Sequence, residues 1–108
     1  MVMQRGGCVY IMTNKQHAVF YAGVTSDLIG RTWDHKNKTH LKSFTTKYNC
    51  DKLVYYCFYP HIEEAIAAEK LIKGGSRQSK IDLVVSVNPE WKDLYDDLLN
   101  DNWLTGMS

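Results

Sequence analysis

The chain has 108 residues, 44% of them hydrophobic, with a formal net charge of +1; it has the size and apolar content of one folded domain with a modest core, not of a disordered chain. No apolar run is long enough to span a bilayer, and the start, MVMQRGGCVYIM, is too soon interrupted for a signal peptide, so no membrane role is expected and the cytoplasm is the expected compartment. Cys8, Cys50 and Cys57 are odd in number and lack a Cys-x-x-Cys pair, which argues against a disulfide framework or a zinc knot.

Gly6-Gly7 precedes an apolar run, Cys8 to Met12, that predicts a first strand. Thr13 to Ala18 supplies polar turn residues, and Val19 to Gly23 predicts a second strand, so the two should form a hairpin carrying Tyr10 and Tyr21 at alternating positions. Thr25, Ser26 and Asp27 are N-cap residues, and a helix is expected from about Ser26 to Asn37. Its apolar stripe is Leu28, Ile29, Thr32 and Trp33, with Arg31 and His35, four residues apart, on the flank of that stripe. Gly30 stands out inside it, at a cost on the order of 1 kcal/mol relative to alanine.

Lys38 to Asn49, KTHLKSFTTKYN, is polar and basic with Phe44 and Tyr48 interleaved, and suits a loop or a short helix. Leu53 to Tyr59, LVYYCFY, is apolar on both faces and predicts a central strand covered on each side, stopped by Pro60. A second helix is expected from His61 to Lys73, ended by Gly74-Gly75. Ile62, Ala65, Ile66 and Ile72 form its buried stripe, and Glu69 projects from the middle of it. Ser76 then caps RQSKIDLVVSV, where Ile81, Val84 and Val85 at helical spacing favour helix over strand. Glu90 to Leu99 predicts a short acidic helix with Trp91, Leu94, Tyr95 and Leu98 inward, and the last nine residues are expected to fray apart from Trp103.

Charge is segregated along the chain. Residues 1–60 carry eight Lys/Arg against three acids, whereas residues 83–108 carry Lys92 alone against five acids. A basic half of this kind can face phosphates or simply form a solvated surface.

The residues able to carry chemistry are then two phenols on a hairpin, Tyr10 and Tyr21, a cation and an imidazole on the next helix, Arg31 and His35, and the inward carboxylate of Glu69. A buried carboxylate is costly unless paired, so Glu69 holds either a lysine or a metal ion. Metal-assisted phosphodiester hydrolysis needs parts of this kind: a carboxylate for a hard cation that keeps most of its waters, a guanidinium for the phosphoryl oxygens, and a group to take the proton of the attacking water. Taken singly, Tyr10 and Tyr21 are also what ordinary sheet tyrosines look like, and His35 what a surface helix residue looks like.

The order Val9-Tyr10-Ile11, Tyr21-Ala22-Gly23, Arg31, His35 and Glu69 resembles the GIY-YIG nuclease family, with CVY and YAG standing for its two tripeptides. YAGVTSDLIGRTWDHK, FTTKYN, AAEKLIKG and NPEW resemble its small stand-alone bacterial members, so the likeness spans about residues 7–99 of a single domain over 1–108. The resemblance implies an α+β fold, a small three-stranded antiparallel sheet flanked by helices. It implies a divalent-metal-dependent endonuclease that nicks DNA, duplex or branched, with DNA repair or processing as its setting and no small-molecule cofactor. Glu69 would be the single Mg2+ (or Mn2+) ligand and Arg31 would contact the scissile phosphate. Tyr10 or His35 would act as general base, with Tyr21 orienting or sharing that role. Lys36, Lys38, Lys42 and Lys47 would form a phosphate-facing rim. The chain departs from the family pattern at Cys8, Ala22 and Gly30, and Gly74-Gly75 replaces a basic-aromatic run, which removes charge available to a DNA backbone. The alternative is a catalytically weak or inactive nucleic-acid-binding module with the same fold.

Overall fold

The computed structural model describes residues 6–39 and 43–107, with side-chain environments through residue 100. Three antiparallel strands, β1 (Gly7–Thr13), β2 (Phe20–Thr25) and β3 (Lys52–Tyr59), pair in the order β2-β1-β3. The helices are α1 (Leu28–Asn37), α2 (Phe44–Lys47), α3 (Ile62–Gly74), α4 (Arg77–Val87) and α5 (Leu94–Met107). This is the expected α+β architecture, and β1 and β2 form the expected hairpin, with Tyr10 opposite Gly23 and Met12 opposite Tyr21.

The expectation for LVYYCFY needs correction. β1 is the central strand, buried at all seven positions, while β3 lies on the edge. Leu53, Val54 and Tyr55 are buried as expected, but the second half of β3 opens to solvent, and Phe58 is exposed. A run that is apolar on both faces reports that both faces are covered somewhere; it does not report how many neighbours the strand has. The pairing skips Val54, since Ile11 faces Tyr55 and Met12 faces Leu53, a bulge that bends the edge strand.

Strand alternation sorts the core into two layers. Cys8, Tyr10 and Met12 pack with Leu28, Cys50, Leu53 and Leu98, toward α1 and α5. Val9 and Ile11 pack with Val54, Tyr55 and Val84, with Ala68 and Ile72 of α3 against them. Each fully buried aliphatic side chain here contributes about 1.5–3 kcal/mol of transfer free energy. Tyr10 is thereby committed to the layer under α1.

α1 begins one residue after Asp27, whose carboxylate accepts the Gly30 amide at 3.1 Å. Thr25 ends β2 instead of capping the helix, and its hydroxyl accepts the Asp27 amide at 2.9 Å. A Cβ on Gly30 would run into the Asp27 carboxylate, which accounts for a glycine inside the helix. Leu28, Thr32 and His35 form the buried line of α1, whereas Trp33 is 50% exposed. His35 therefore belongs to the core stripe and Trp33 does not: at 100° per residue, 28, 32 and 35 stack while 33 turns away.

Similar corrections apply to the later helices. On α3 Ala65 is buried but Ile66 is exposed, and on α4 Val84 is buried but Val85 is exposed. The acidic helix starts at Leu94 and extends to Met107, beyond the expected end at Leu99; the Trp103 side chain lies outside the described residues. Trp91 precedes it with a positive φ of 57° and stacks on His17 at 4.4 Å between ring centroids. His17, which had no assigned role, is a structural hub: Lys52 Nζ donates to its Nε2 at 3.0 Å, and Arg77 donates to its carbonyl at 3.1 Å and to that of Ala18 at 2.8 Å. Hairpin, β3 and α4 are tied together there.

Candidate active site

Tyr10 projects from the middle of β1 beneath α1, 1% exposed, and its hydroxyl lies 2.9 Å from Nε2 of His35. The Tyr21 ring, one strand over, lies 6.2 Å from the Tyr10 ring and 5.5 Å from that of His35, centroid to centroid. Two phenols and an imidazole that are 25 residues apart at their extremes thus share one cluster. Gly23 makes this possible. It stands opposite Tyr10, and a Cβ there would come within 2.6 Å of the Tyr10 phenolic oxygen, so the motif glycine is the space the phenol occupies.

Burial pushes the Tyr10 phenol well above its ordinary pKa, Tyr21 adds to the rise, and the positive charge of Arg31 opposes it. Arg31 lies on the exposed side of α1, close enough to act electrostatically on the phenol below it. A phenol in this setting stays protonated near neutrality. It can accept a proton only by passing its own on, and Nε2 of His35 is the acceptor within hydrogen-bond reach.

The other ring nitrogen of His35, Nδ1, lies 2.9 Å from Oγ1 of Thr45 on α2. Sequence reasoning did not single out Thr45, and a threonine in a polar, basic stretch gives no signal by spacing. α2 buries Thr45 and presents its aromatic residues outward: Phe44 is 45% exposed and Tyr48 39%. Phe44 lies 6.0 Å from Tyr21 and 4.8 Å from Tyr48, so an aromatic row runs from the Tyr10–His35 pair to the surface.

Glu69 sits on α3 with its side chain 13% exposed and paired to Lys73 at 2.8 Å. The lysine expected as one of its partners is thus Lys73, whose place four residues after Glu69 could have named it. Its Nζ lies 6.0 Å from the Tyr21 ring centroid, which brings the Glu69 pair up to the aromatic cluster. The hydrogen bond to Glu69 raises the Lys73 pKa.

The donor set suits a divalent ion of one kind only. Among the described residues no group of three or more His, Cys, Asp or Glu side chains could enclose a metal. A lone carboxylate fits a hard cation that keeps most of its own waters. Glu69 fits such an ion once Lys73 moves aside.

The expected basic rim is thinner than the sequence suggests. Lys36 is tied to the Asp93 carboxylate and the Asp51 carbonyl and lies over the Tyr95 ring, so its charge braces α1 against the start of α5. Lys38 caps α1 in the left-handed conformation, 3.9 Å from Asp51. Lys47 is exposed beside the aromatic row, 5.4 Å from the Tyr48 ring. Lys42 lies outside the described residues.

Residues 6–82 match the GIY-YIG catalytic domain. Among solved structures, the chain is similar to the UPF0213 protein of Bacillus halodurans, solved by solution NMR, at 27% identity and a TM-score of 0.52, covering 82% of this chain and 92% of that one. No curated protein matches the chain.

Proposed function

The chain belongs to the GIY-YIG nuclease family, and from that premise we propose that it is a divalent-metal-dependent endonuclease that nicks DNA. The observation that carries this reading is the buried hydrogen bond between Tyr10 and His35, with Arg31 acting on the same phenol from the exposed side of α1. A metal-free binding surface has no need of a proton-exchanging pair in its interior.

In this reading the attacking water gives its proton to the phenol–imidazole pair. As the water oxygen bonds to phosphorus and the bond from phosphorus to the leaving sugar oxygen breaks, the Tyr10 oxygen takes the water proton, its own proton moves to Nε2 of His35, and the leaving oxygen takes a proton from solvent. Tyr21 lines the approach and orients the water. Arg31 donates to the phosphoryl oxygens, where charge grows in the transition state. Glu69 would hold the ion, whose chemistry is to draw charge from the phosphate and ease the leaving oxygen. Phe44 and Tyr48 offer stacking surface to an unpaired base and Lys47 a phosphate contact, which suits branched or opened DNA.

The test is nicking of plasmid and branched DNA with Mg2+ or Mn2+ by the purified chain. Glu69→Gln is expected to abolish nicking and Arg31→Ala to lower it about 10²–10³-fold. Retention of activity in both variants refutes the site.

One observation supports a second reading. Lys73 already neutralises Glu69, as in a fold kept for binding. The chain would then bind nucleic acid in a salt-sensitive way, unchanged by Glu69→Gln, with no metal-dependent cleavage.

A further inference from the structure

The hydroxyl cluster at the start of α2 determines which way the Tyr10–His35 hydrogen bond points. Ser43 Oγ accepts the Thr46 amide at 3.2 Å and donates its hydrogen to Thr46 Oγ1 at 3.2 Å. Its single hydrogen is thereby used. With that hydrogen so placed, the 3.1 Å contact between Ser43 and Thr45 takes its hydrogen from Thr45. A threonine that has given its hydrogen away can only accept from His35, so Nδ1 carries the imidazole hydrogen. In the neutral ring Nε2 then carries no hydrogen and accepts that of the Tyr10 hydroxyl.

We propose that Thr45 is a positioning residue that holds His35 in the Nδ1–H tautomer, so that Nε2 stands ready to take the Tyr10 proton. This rests on the nuclease reading above and extends it to a residue outside the five that resemble the family's. Thr45 is buried, which shields the contact from competing water. Its hydroxyl orients the ring without adding charge. A carboxylate in the same place would hold the imidazolium more tightly and make its proton harder to return. The same arrangement explains why α2, a four-residue helix, is bonded inward at Thr45 and open outward at Phe44 and Tyr48: one short element serves the histidine and the surface at once.

The experiment is long-range 1H–15N NMR of the intact chain with 15N-labelled histidine, the His35 signals being assigned by their loss in His35→Gln. Wild type and Thr45→Ser are expected to show the Nδ1–H tautomer. Thr45→Val, which keeps the shape and removes the hydroxyl, is expected to shift His35 toward Nε2–H and to lower nicking on the order of 10²-fold, with Thr45→Ser restoring it. Nε2–H in the wild type, or an unchanged tautomer in Thr45→Val, overturns the proposal. If Thr45→Val does not fold, the wild-type tautomer alone decides. Loss of the nuclease reading shows up separately, as nicking that survives Glu69→Gln and Arg31→Ala, and leaves the NMR result to judge Thr45.

Discussion

Gly23 and Lys73 are the two residues whose meaning comes from what lies against them. Gly23→Ala would drive a methyl group into the Tyr10 phenol from the neighbouring strand. The expected outcome is a loss of about 1–3 kcal/mol in chemical denaturation, the usual range for overpacking, and a fall in nicking on the order of 10²-fold because the phenol is displaced from His35. An alanine variant with unchanged activity would mean that Tyr10 has room the close approach denies it. Lys73 competes with any cation for Glu69, since both seek one carboxylate. Lys73→Met should therefore lower the Mn2+ concentration for half-maximal nicking about two- to five-fold, the range an exposed ion pair supports. An increase in that concentration instead would assign the ammonium to the DNA phosphate.

At the level of the element, α1 shows how a local rule is overruled by its own cap. Alanine normally stabilises a helix interior by about 1 kcal/mol over glycine. At Gly30 the added Cβ displaces the Asp27 carboxylate that caps the helix, and a lost cap costs about 0.5–2 kcal/mol. Gly30→Ala alone should thus be near neutral or destabilising in urea denaturation. In an Asp27→Ala background, where the carboxylate is gone, the same change should stabilise by about 1 kcal/mol. Equal effects in both backgrounds would break the link between the two residues. The cap matters for the site because α1 carries both Arg31 and His35, and its first turn sets the rotation that puts one outside and the other in the core.

Several buried weak acids, spread over both core layers, hold their protons tightly. Burial pushes the thiols of Cys8 and Cys50 from 9.0 up to about 12 and about 11, and the Tyr55 phenol from 10.0 up to about 12; Tyr10 is raised as well. Each binds its proton more strongly folded than unfolded, so the stability it contributes is complete below pH 9–10 and is lost as pH rises through 11–12. A thermal melt series is expected to be flat in this respect up to about pH 9 and to fall steeply above it. The fall should be shallower in Cys50→Ala once its own stability is normalised. No such steepening would mean that these groups reach solvent in the fold.

The sequence by itself determined the local grammar of this protein. Alternation and glycine marked the hairpin and capping residues marked α1 and α4, because those signals are carried by neighbours a few residues apart, and the order of tyrosines, arginine, histidine and glutamate along the chain pointed to a family. It could not say that β1 and not β3 is central, since strand order depends on pairing between distant segments and leaves no mark on a run that is apolar on both faces. Nor could it rank Trp33 below His35 as a core residue. Closure of the fold alone shows that Gly23 is the space for Tyr10 and that a threonine ten residues beyond His35 meets its ring. These are contacts between elements, and their geometry exists only once the sheet and helices have closed on one another.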